Sequence, residues 1–448
     1  MKFVSVITSI KSAVSASPKL SETGSSIGYT PAAWYQYSTR TIVLVLLPVL
    51  SMAGAYGTMY LTNANGTFPY LTALISADNA LLPGSRVPLL RKYTGIGVVD
   101  HQLCVLVTFF APIVNFTYGP LTLFSIMACG QLGGAWTLLV MESMRLGNQG
   151  SFLSYIGFVG FILQNFSFAS TIPLYLVLHL LRSPVAKPFP GAHANTVLLI
   201  PTLDLAILPW SITLGYIAPT VLIGLPFPTM VSYEAHQRFI ALWQLFPIWT
   251  ILIHWPLRKS CQYAAAHLSS RKRSPTSSGS SYIRMAGYIY VFVLFLCMST
   301  HIPVILITLV PRSKLPETWK RLVYLARNNF FHVFVPYFPS PSYQVTKYGE
   351  GVLTFLQWDL YIGSTALLLW SVVLYRNATA ERTIVDPNTS LPIYRELLTG
   401  VRGSEEEVWR KLSWKIGSWT LVSGPMGALA ILLWERDAMI RQKIKQGM

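Results

Sequence analysis

Four carboxylates lie within or at the ends of apolar runs: Asp100, Glu142, Glu234 and Asp359. Asp359 is the clearest of them, because it lies inside residues 348–376, a mainly apolar run, and has no basic residue within four positions. An ionisable group in a membrane-spanning segment costs at least about 2.5 kcal/mol on insertion scales, so it needs a partner, a proton or a function. Since removal from water favours the neutral form of a carboxyl group, each of these residues is a candidate general acid.

Each acid also has a structural explanation. Glu142 and Glu234 are followed, three and four residues later, by an arginine, a spacing that favours an ion pair along one helix face. Asp100 begins an apolar run, where Asp is favoured as a helix cap and meets the positive end of the helix dipole. Both explanations stay open for these three residues, whereas Asp359 lies too far into its run to be an easy cap.

A fifth acid and several aromatic residues extend the set of candidates. Asp204 lies within residues 197–223, an apolar stretch that prolines interrupt, and it has no basic neighbour in sequence. Aromatic ring faces can stabilise a developing cation by about 0.5–2 kcal/mol, although Trp and Tyr are common at membrane interfaces regardless of activity. The candidates for substrate contact are Trp358, Phe355, His101, Trp210, Asp204 and Glu234.

Composition indicates the elements that must position these residues. Hydrophobic residues make up 52% of the chain and charged residues 11%, which is typical of a membrane protein and not of a soluble one. The formal net charge of +17 would suggest nucleic acid as the partner of a soluble protein. Here the basic residues lie mostly between apolar runs, which favours topology signals and contacts with anionic lipid headgroups. No nucleic-acid partner is expected.

The predicted fold class is all-α, a polytopic transmembrane helix bundle with eight or nine spans, because about 20 apolar residues cross a bilayer as a helix. The predicted spans cover residues 41–61, 98–115, 119–144, 152–181, 197–223, 239–255, 288–310 and 348–376, with 418–434 as an optional ninth. The predicted organisation is a flexible tail at 1–40, six spans within 41–255, a basic disordered cytoplasmic loop at 256–286, and the remaining spans within 287–448 with an interfacial segment at 311–347.

Charge distribution predicts the orientation. If the basic loop is cytoplasmic, alternation of the spans places Asn65, the first residue of an N-glycosylation sequon, in the lumen. The same alternation places the four acids named first toward the luminal side, where four helices would supply one acid site. The basic residues 436–445 conflict with this scheme, because they would be luminal if residues 418–434 cross the membrane.

Other chemistries have no support in the sequence. The eight histidines and four cysteines show no metal-ligand spacing or disulfide framework. A Gly-rich phosphate loop and a serine nucleophile elbow are both absent. The DDxxD pattern that binds magnesium diphosphate is absent too, which argues for chemistry begun by protonation. No metal or cofactor is expected.

Residues 97–115, GVVDHQLCVLVTFFAPIVN, and 355–363, FLQWDLYIG, resemble, together with the span layout, fungal integral-membrane terpene cyclases of meroterpenoid and indole-diterpene pathways. The resemblance implies that a carboxylic acid protonates an epoxide or terminal olefin of a polyprenyl chain, after which the cation closes rings and is quenched by proton loss or water. By position, it implies Asp100 and Asp359 as catalytic residues, with Glu142 as a neighbouring partner. The motifs do not tell which residue is the acid and which the base.

Three functions remain to be compared. The first is a cyclase or isomerase in the endoplasmic reticulum membrane, acting on a lipophilic prenylated substrate, in contact with membrane lipids and without an obligate protein partner. The alternatives are a proton-coupled or lipid-handling transporter and a non-catalytic scaffold protein. The placement of the acids on one side favours the enzyme, whereas Asp204, predicted to lie deeper, keeps transport open.

Overall fold

The computed structural model describes residues 32–187, 197–268, 279–311, 320–337, 339–379, 383–385, 392–394 and 405–445, with 313, 316 and 318. The predicted flexible tail up to residue 31 and the centre of the basic loop at 269–278 lie outside the described residues. Helices dominate the rest, as lipid requires, because a chain in hydrocarbon must satisfy its backbone polar groups internally.

Fourteen helices follow one another in the described part of the chain. The first seven are α1 (Ala32–Ala55, continued by a π turn, Tyr56–Tyr60, and by Leu61–Ala64), α2 (Thr67–Ser76), α3 (Gly97–Val114), α4 (Gly119–Ser143), α5 (Ile156–Phe166), α6 (Phe168–Arg182) and α7 (Thr202–Ile212, with a π turn, Thr213–Ile217, and Ala218–Ile223). The others are α8 (Tyr233–Trp243), α9 (Phe246–Leu268), α10 (Gly279–Leu309), α11 (Lys320–Leu325), α12 (Phe330–Phe334), α13 (Tyr348–Thr379) and α14 (Glu405–Lys445). Two strands, β1 (Thr383–Val385) and β2 (Pro392–Tyr394), pair antiparallel between α13 and α14.

Seven of the described helices are long and apolar enough to cross a membrane: α1, α3, α4, α7, α10, α13 and α14. The pair α8 and α9, bent by 74°, supplies an eighth if it counts as one span. The predicted all-α membrane bundle is therefore confirmed. α9 and α10 also extend into the predicted loop at 256–286, because residues 257–268 include Leu, Lys, Arg, Gln and Ala, which favour helix.

The predicted fourth span, residues 152–181, is divided. Ser167 separates α5 from α6 with φ 149° and ψ 156°, a conformation that only glycine adopts readily. Its side chain caps α6 by accepting a hydrogen bond from the backbone N–H of Ser170, at 3.1 Å. The break therefore places the N-terminus of α6 inside the predicted span.

The predicted ninth span is not a straight crossing, because α14 doubles back on itself. Gly424 has φ 75° and ψ 173°, and Lys415 forms an ion pair with Glu435, twenty residues later. In a straight helix those residues would be about 30 Å apart. Both ends of α14 therefore lie at the same end of the bundle, which removes the conflict over the basic residues 436–445.

The two ends of the bundle gather different elements. At one end, called here the Asn65 end, the end of α1 and the starts of α4 and α13 surround a cavity of about 600 Å³ with Tyr348 in its wall. At the opposite end, called here the Glu142 end, α4 finishes beside the last part of α14, where Arg145 bonds to Asp437. The acids thus lie at different levels of the bundle.

This arrangement corrects the predicted placement of the acids on one side. α4 and α13 begin together at the Asn65 end, where a Cβ added to Gly349 would lie 2.9 Å from the Cβ of Tyr118. Asp359 lies eleven residues into α13 and Glu142 at the far end of α4. The prediction is wrong because the chain passes toward the Glu142 end between α1 and α3, whereas the alternation of spans requires this connection to stay on one side of the membrane.

Candidate active site

The N-terminus of α6 reaches Asp359 because small residues let three helices approach closely. A Cβ added to Gly363 of α13 would lie 2.1 Å from the Phe168 ring, and one added to Gly54 of α1 would lie 2.6 Å from the carbonyl oxygen of Ala169. Substituting either glycine would force these helices apart. Close packing through small residues is the usual way in which membrane helices associate.

Asp359 binds this helix terminus. Its Oδ1 accepts a hydrogen bond from the backbone N–H of Ala169 at 2.8 Å, and the Phe168 amide and the Ser167 hydroxyl also interact with the carboxyl group. The side chain is half-buried, and no ion pair among the described residues includes it. The positive end of the α6 dipole therefore faces a carboxyl group that keeps some accessible surface.

A set of hydroxyl groups continues from this point. The Ser167 and Ser170 hydroxyls lie 2.8 Å apart, and Thr58 of α1 donates to the Ser167 hydroxyl at 3.3 Å. Ser51, seven residues before Thr58 on α1, donates a hydrogen bond to the Ser170 carbonyl oxygen at 2.7 Å. Ser167 is buried and Ser170 is half-buried, so the hydroxyl set leads from the interior toward the surface of α6.

A groove of about 920 Å³ lies between α1, α5 and α6, with Ser51, Ser170 and Thr171 in an otherwise apolar and aromatic wall. The volume is within the range of about 300–1,000 Å³ found for small-molecule sites. Tyr155 and Phe158, which line it, are 68% and 66% exposed, so the groove opens on the outer, lipid-facing surface of the bundle. An apolar molecule dissolved in the bilayer can reach it directly.

The two aromatic candidates beside Asp359 have different surroundings. Trp358 packs on the π turn of α1, where a Cβ added to Gly57 would lie 2.5 Å from its ring, and its buried indole N–H has no partner among the described atoms. Phe355 belongs to an aromatic cluster with Phe109 and Phe68, at centroid distances of 4.9 and 6.3 Å. Trp358 thus connects Asp359 to α1, whereas Phe355 connects α13 to α2 and α3.

Glu142 belongs to a buried ionic network. The ion pair with Arg145, one of the two explanations that the sequence left open for Glu142, is part of it. The Glu142 carboxylate accepts from Arg145 at 2.6 Å and from Arg436 at 2.7 Å, and Asp437 accepts from Arg145 at 3.1 Å. The hydroxyls of Tyr282 and Tyr290 also donate to Asp437, at 2.6 and 2.8 Å. The negative charges of two acids therefore balance the positive charges of two arginines, and the network joins α4, α10 and α14.

Glu142 and Asp359 do not form one site. His179 interacts electrostatically with Glu142, and it lies ten residues after Ala169 on α6. Ten residues of α-helix span about 15 Å, so α6 separates the Asp359 level from the Glu142 level by that length.

Asp100 holds the loop before α3. Its carboxylate accepts from the backbone N–H groups of Tyr93, Thr94 and Gly95, at 3.1, 2.7 and 3.0 Å, and from the Thr94 hydroxyl at 2.8 Å. Four donors saturate most of the lone pairs of a carboxylate. His101, next to it, is exposed.

Asp204 was predicted to lie deep in a span, but it lies in the first turn of α7. There it interacts with Arg258 at 3.1 Å and with His254 at 3.4 Å, and the other ring nitrogen of His254 lies 3.0 Å from the Ser211 hydroxyl. The helix starts at Thr202, two residues before Asp204 and not near residue 197, so this acid lies at the end of the helix. The transporter alternative rested on Asp204 as an unpaired acid deep in a span, so this pairing removes its support.

Two further sequence candidates lie on the surface. Glu234 is exposed and pairs with Arg238 at 2.5 Å, and Trp210 is 65% exposed. Asn65 of the predicted sequon is buried, and its side-chain oxygen accepts from the Thr67 hydroxyl at 2.7 Å. Glycosylation of Asn65 stays a prediction, and it requires this turn to open.

Glu350 is a buried acid that the sequence analysis did not single out. It lies in the first turn of α13, where its carboxylate accepts from the Tyr343 hydroxyl at 2.6 Å and from the Thr346 N–H at 3.1 Å. This hydrogen bond raises the pKa of Tyr343. Glu350 is thus tied to the loop before α13 at the Asn65 end, away from the groove.

The hydroxyl set was also missed. Asn165, Ser167, Ser170 and Thr171 place four polar residues within seven positions of a predicted span, which is the signal that could have found it. No group of three or more His, Cys, Asp or Glu that could hold a metal ion occurs in the described part of the chain.

Comparisons with known proteins agree with the resemblance seen in the two motifs. The chain is 26% identical over 354 residues to the terpene cyclase ascI of Acremonium egyptiacum, covering 78% of this chain and 80% of that protein. It is 28% identical over 360 residues to the terpene cyclase janA of Penicillium janthinellum, covering 77% and 85%. It is 26% identical over 400 residues to the terpene cyclase ctvD of Aspergillus terreus, covering 88% and 97%.

No solved structure matches the chain. The family model for the CtvD domain matches residues 42–441, which include nearly the full length of the spans and the Asp359 site. The chain therefore belongs to the CtvD domain family.

Proposed function

We propose that this protein is a terpene cyclase of the endoplasmic reticulum membrane in which Asp359 protonates an epoxide or olefin of a lipophilic prenylated substrate. The observation that carries the proposal is the position of Asp359: a half-buried carboxyl group inside a span, bound to the N-terminus of α6 and joined by hydroxyls to a groove open to lipid. The named terpene cyclases among its relatives support the type of reaction. The reaction uses no metal, and its other partners are membrane lipids.

The surroundings of Asp359 suit an acid that must give up a proton. Lack of a cationic partner among the described residues and removal from water favour the neutral acid before the reaction. Once the proton has left, the carboxylate is stabilised by the Ala169 N–H and the α6 dipole. Interactions that are stronger after proton transfer than before it lower the barrier.

The apolar groove would supply the second requirement, exclusion of water from the carbocation. Its wall includes the rings of Tyr155, Phe158 and Tyr175, whose faces can stabilise positive charge. Ring closure then ends with loss of a proton or addition of water.

The experiment is conversion of a panel of prenylated phenols and their terminal epoxides by yeast microsomes that contain the protein. Asp359→Asn keeps the size of the side chain but cannot donate an acidic proton, so we expect product to fall by about 100-fold or more. Asp359→Glu should keep part of the activity. Asp78→Asn, at an exposed position, is the matched control and should behave as wild type.

Two results would overturn the proposal. One is an unchanged product profile with Asp359→Asn, which would remove Asp359 from the chemistry. The other is absence of cyclised product from the wild type with every member of the panel.

A further inference from the structure

We infer that the groove between α1, α5 and α6 binds the prenyl chain of the substrate, and that the Ser167 and Ser170 hydroxyls carry the proton to it from Asp359. This inference rests on the proposed function and adds the binding site and the path of the proton. Its separate parts, a site and a relay, can each be tested.

The shape and chemistry of the groove identify its occupant. About 920 Å³ of mainly apolar space, open on the lipid-facing surface, fits a branched hydrocarbon chain that arrives through the bilayer. The polar groups in the wall are neutral hydroxyls, such as Ser51 and Ser170, which can hydrogen bond to an epoxide or ether oxygen but do not attract a charged ligand. A prenyl chain with an oxygen near its reacting end matches both features.

The position of Ser170 connects the groove with the acid. Ser170 lines the groove, its hydroxyl lies 2.8 Å from that of Ser167, and the Ser167 hydroxyl interacts with the Asp359 carboxyl group. Asp359 itself is not among the described residues that line the groove. A proton from Asp359 therefore needs these two hydroxyls to reach a substrate held there.

The transfer conserves protons and charge. The O–H bond of the Asp359 carboxylic acid breaks as its proton moves to the Ser167 oxygen, the Ser167 proton moves to the Ser170 oxygen, and the Ser170 proton moves to the epoxide oxygen. The epoxide C–O bond opens, and the electrons of the nearest olefin form the new C–C bond. The proton lost by the last carbocation restores the Asp359 acid.

The backbone at Ser167 supports a use for its hydroxyl. Its φ of 149° and ψ of 156° belong to a region that glycine adopts at low cost and serine does not. A glycine would also serve almost as well as serine at the N-cap of α6. The side chain is thus held in a strained conformation at the one point where it joins Asp359 to Ser170.

Binding is tested by photo-crosslinking, which does not depend on turnover. A farnesylated phenol epoxide with a diazirine on its chain is irradiated with wild-type microsomes, and the labelled peptides are mapped by mass spectrometry. We expect label on α5 and α6, competed by the unlabelled epoxide, and at least a 10-fold loss with Leu174→Trp, which fills the groove. Leu306→Trp, at a similarly exposed position on α10, should keep the label.

Label spread evenly over lipid-facing helices, or label in α6 that the unlabelled epoxide does not displace, would show that the probe binds as an adventitious, lipid-like additive only. Either result would overturn the groove as the binding site.

The relay is tested with Ser170→Ala, Ser170→Thr and Ser167→Gly. We expect Ser170→Ala and Ser167→Gly to lower kcat by about 100-fold with KM changed less than threefold, and to alter the solvent isotope effect. Ser170→Thr, which keeps a hydroxyl, should recover most of the rate. The unfolding temperature of Ser167→Gly should equal or exceed that of wild type, because strain is relieved. Ser299→Ala, which removes an exposed intrahelical hydroxyl on α10, is the control.

The outcomes separate this inference from the proposed function. Loss of product with Asp359→Asn but wild-type kcat with both Ser167→Gly and Ser170→Ala would overturn the relay and leave protonation by Asp359 in place. Absence of product from the wild type together with specific crosslinks in the groove would keep the binding site and overturn the function.

Discussion

Glu142 and Asp359 are both carboxyl groups within helices of the bundle, but their partners differ. Two guanidinium groups, those of Arg145 and Arg436, surround Glu142, whereas amides and hydroxyls surround Asp359. A carboxylate between two arginines is fixed as an anion and cannot act as an acid. At the scale of single residues, the charge of the neighbours thus separates the structural acid from the candidate catalytic one.

The Glu142 network predicts a stability effect without a direct effect on chemistry. Glu142→Gln leaves two buried arginines against one acid, and breaking a buried pair in this way costs about 3–5 kcal/mol. We expect a clear fall in the unfolding temperature in detergent, measured by tryptophan fluorescence, while activity per folded molecule is kept. Glu407→Gln, which affects a surface pair with Lys411, should leave the unfolding temperature close to that of wild type. Loss of activity in fully folded Glu142→Gln would return Glu142 to the list of catalytic candidates.

Sequence reasoning reached part of this residue-level picture. The spacing of Glu142 and Arg145 gave their ion pair as one of two open explanations, and the lack of local partners singled out Asp359. Arg436 and Asp437 were counted only as part of a basic segment, because their partners are 294 and 292 residues away in the chain. Such pairs depend on helix packing, which one sequence does not reveal.

At the scale of helices, glycine positions decide where α14 turns. Gln131 of α4 donates to the carbonyl of Ser423 at 3.1 Å and accepts from the N–H of Met426 at 3.0 Å, so it satisfies backbone groups that the turn leaves free. A Cβ at Gly424 would lie 2.5 Å from the Gln131 amide. The turn of α14 therefore depends on both residues.

Gly424→Ala should destabilise the protein. The new side chain would require a backbone conformation that costs about 1–3 kcal/mol and would also collide with Gln131. We expect a lower unfolding temperature in detergent. Gly417→Ala, on the same helix with open space around its Cβ, should be neutral or slightly stabilising, because alanine favours helix. Equal stability of both variants would contradict the hairpin.

The adjacent Gly424 and Pro425 are the sequence signal for this hairpin, and the charges of Lys415 and Glu435 are the signal for its pairing. They were overlooked because the apolar composition of residues 418–434 fits a straight span equally well. The break at Ser167 has a weaker signal, since serine does not favour the conformation found there. Length and hydropathy therefore predict where helices lie better than where they bend.

At the scale of the whole molecule, the hairpin settles which segments share a side. The end of α9, the start of α10 and both ends of α14 all belong to the Glu142 end, whereas the loop before α13 belongs to the Asn65 end. The described basic residues of these segments, among them Arg258, Lys415 and Arg436, lie at the Glu142 end, which the positive-inside rule assigns to the cytoplasm. The predicted cytoplasmic basic loop is consistent with this assignment, but the predicted luminal position of Glu142 is not.

This topology predicts the accessibility of epitope tags in sealed microsomes. A tag after Met448 and a tag inserted after Ser274 should both be digested by added protease without detergent, since the described helix ends nearest to them in sequence, those of α9, α10 and α14, lie at the Glu142 end. A tag after Ser340, in the loop that Glu350 holds at the Asn65 end, should be protected until detergent opens the vesicles. A straight α14 would instead leave the C-terminal tag protected while the Ser274 tag is cleaved. Protection of the C-terminal tag would thus contradict the hairpin and, with it, the common side of Arg436 and the basic loop.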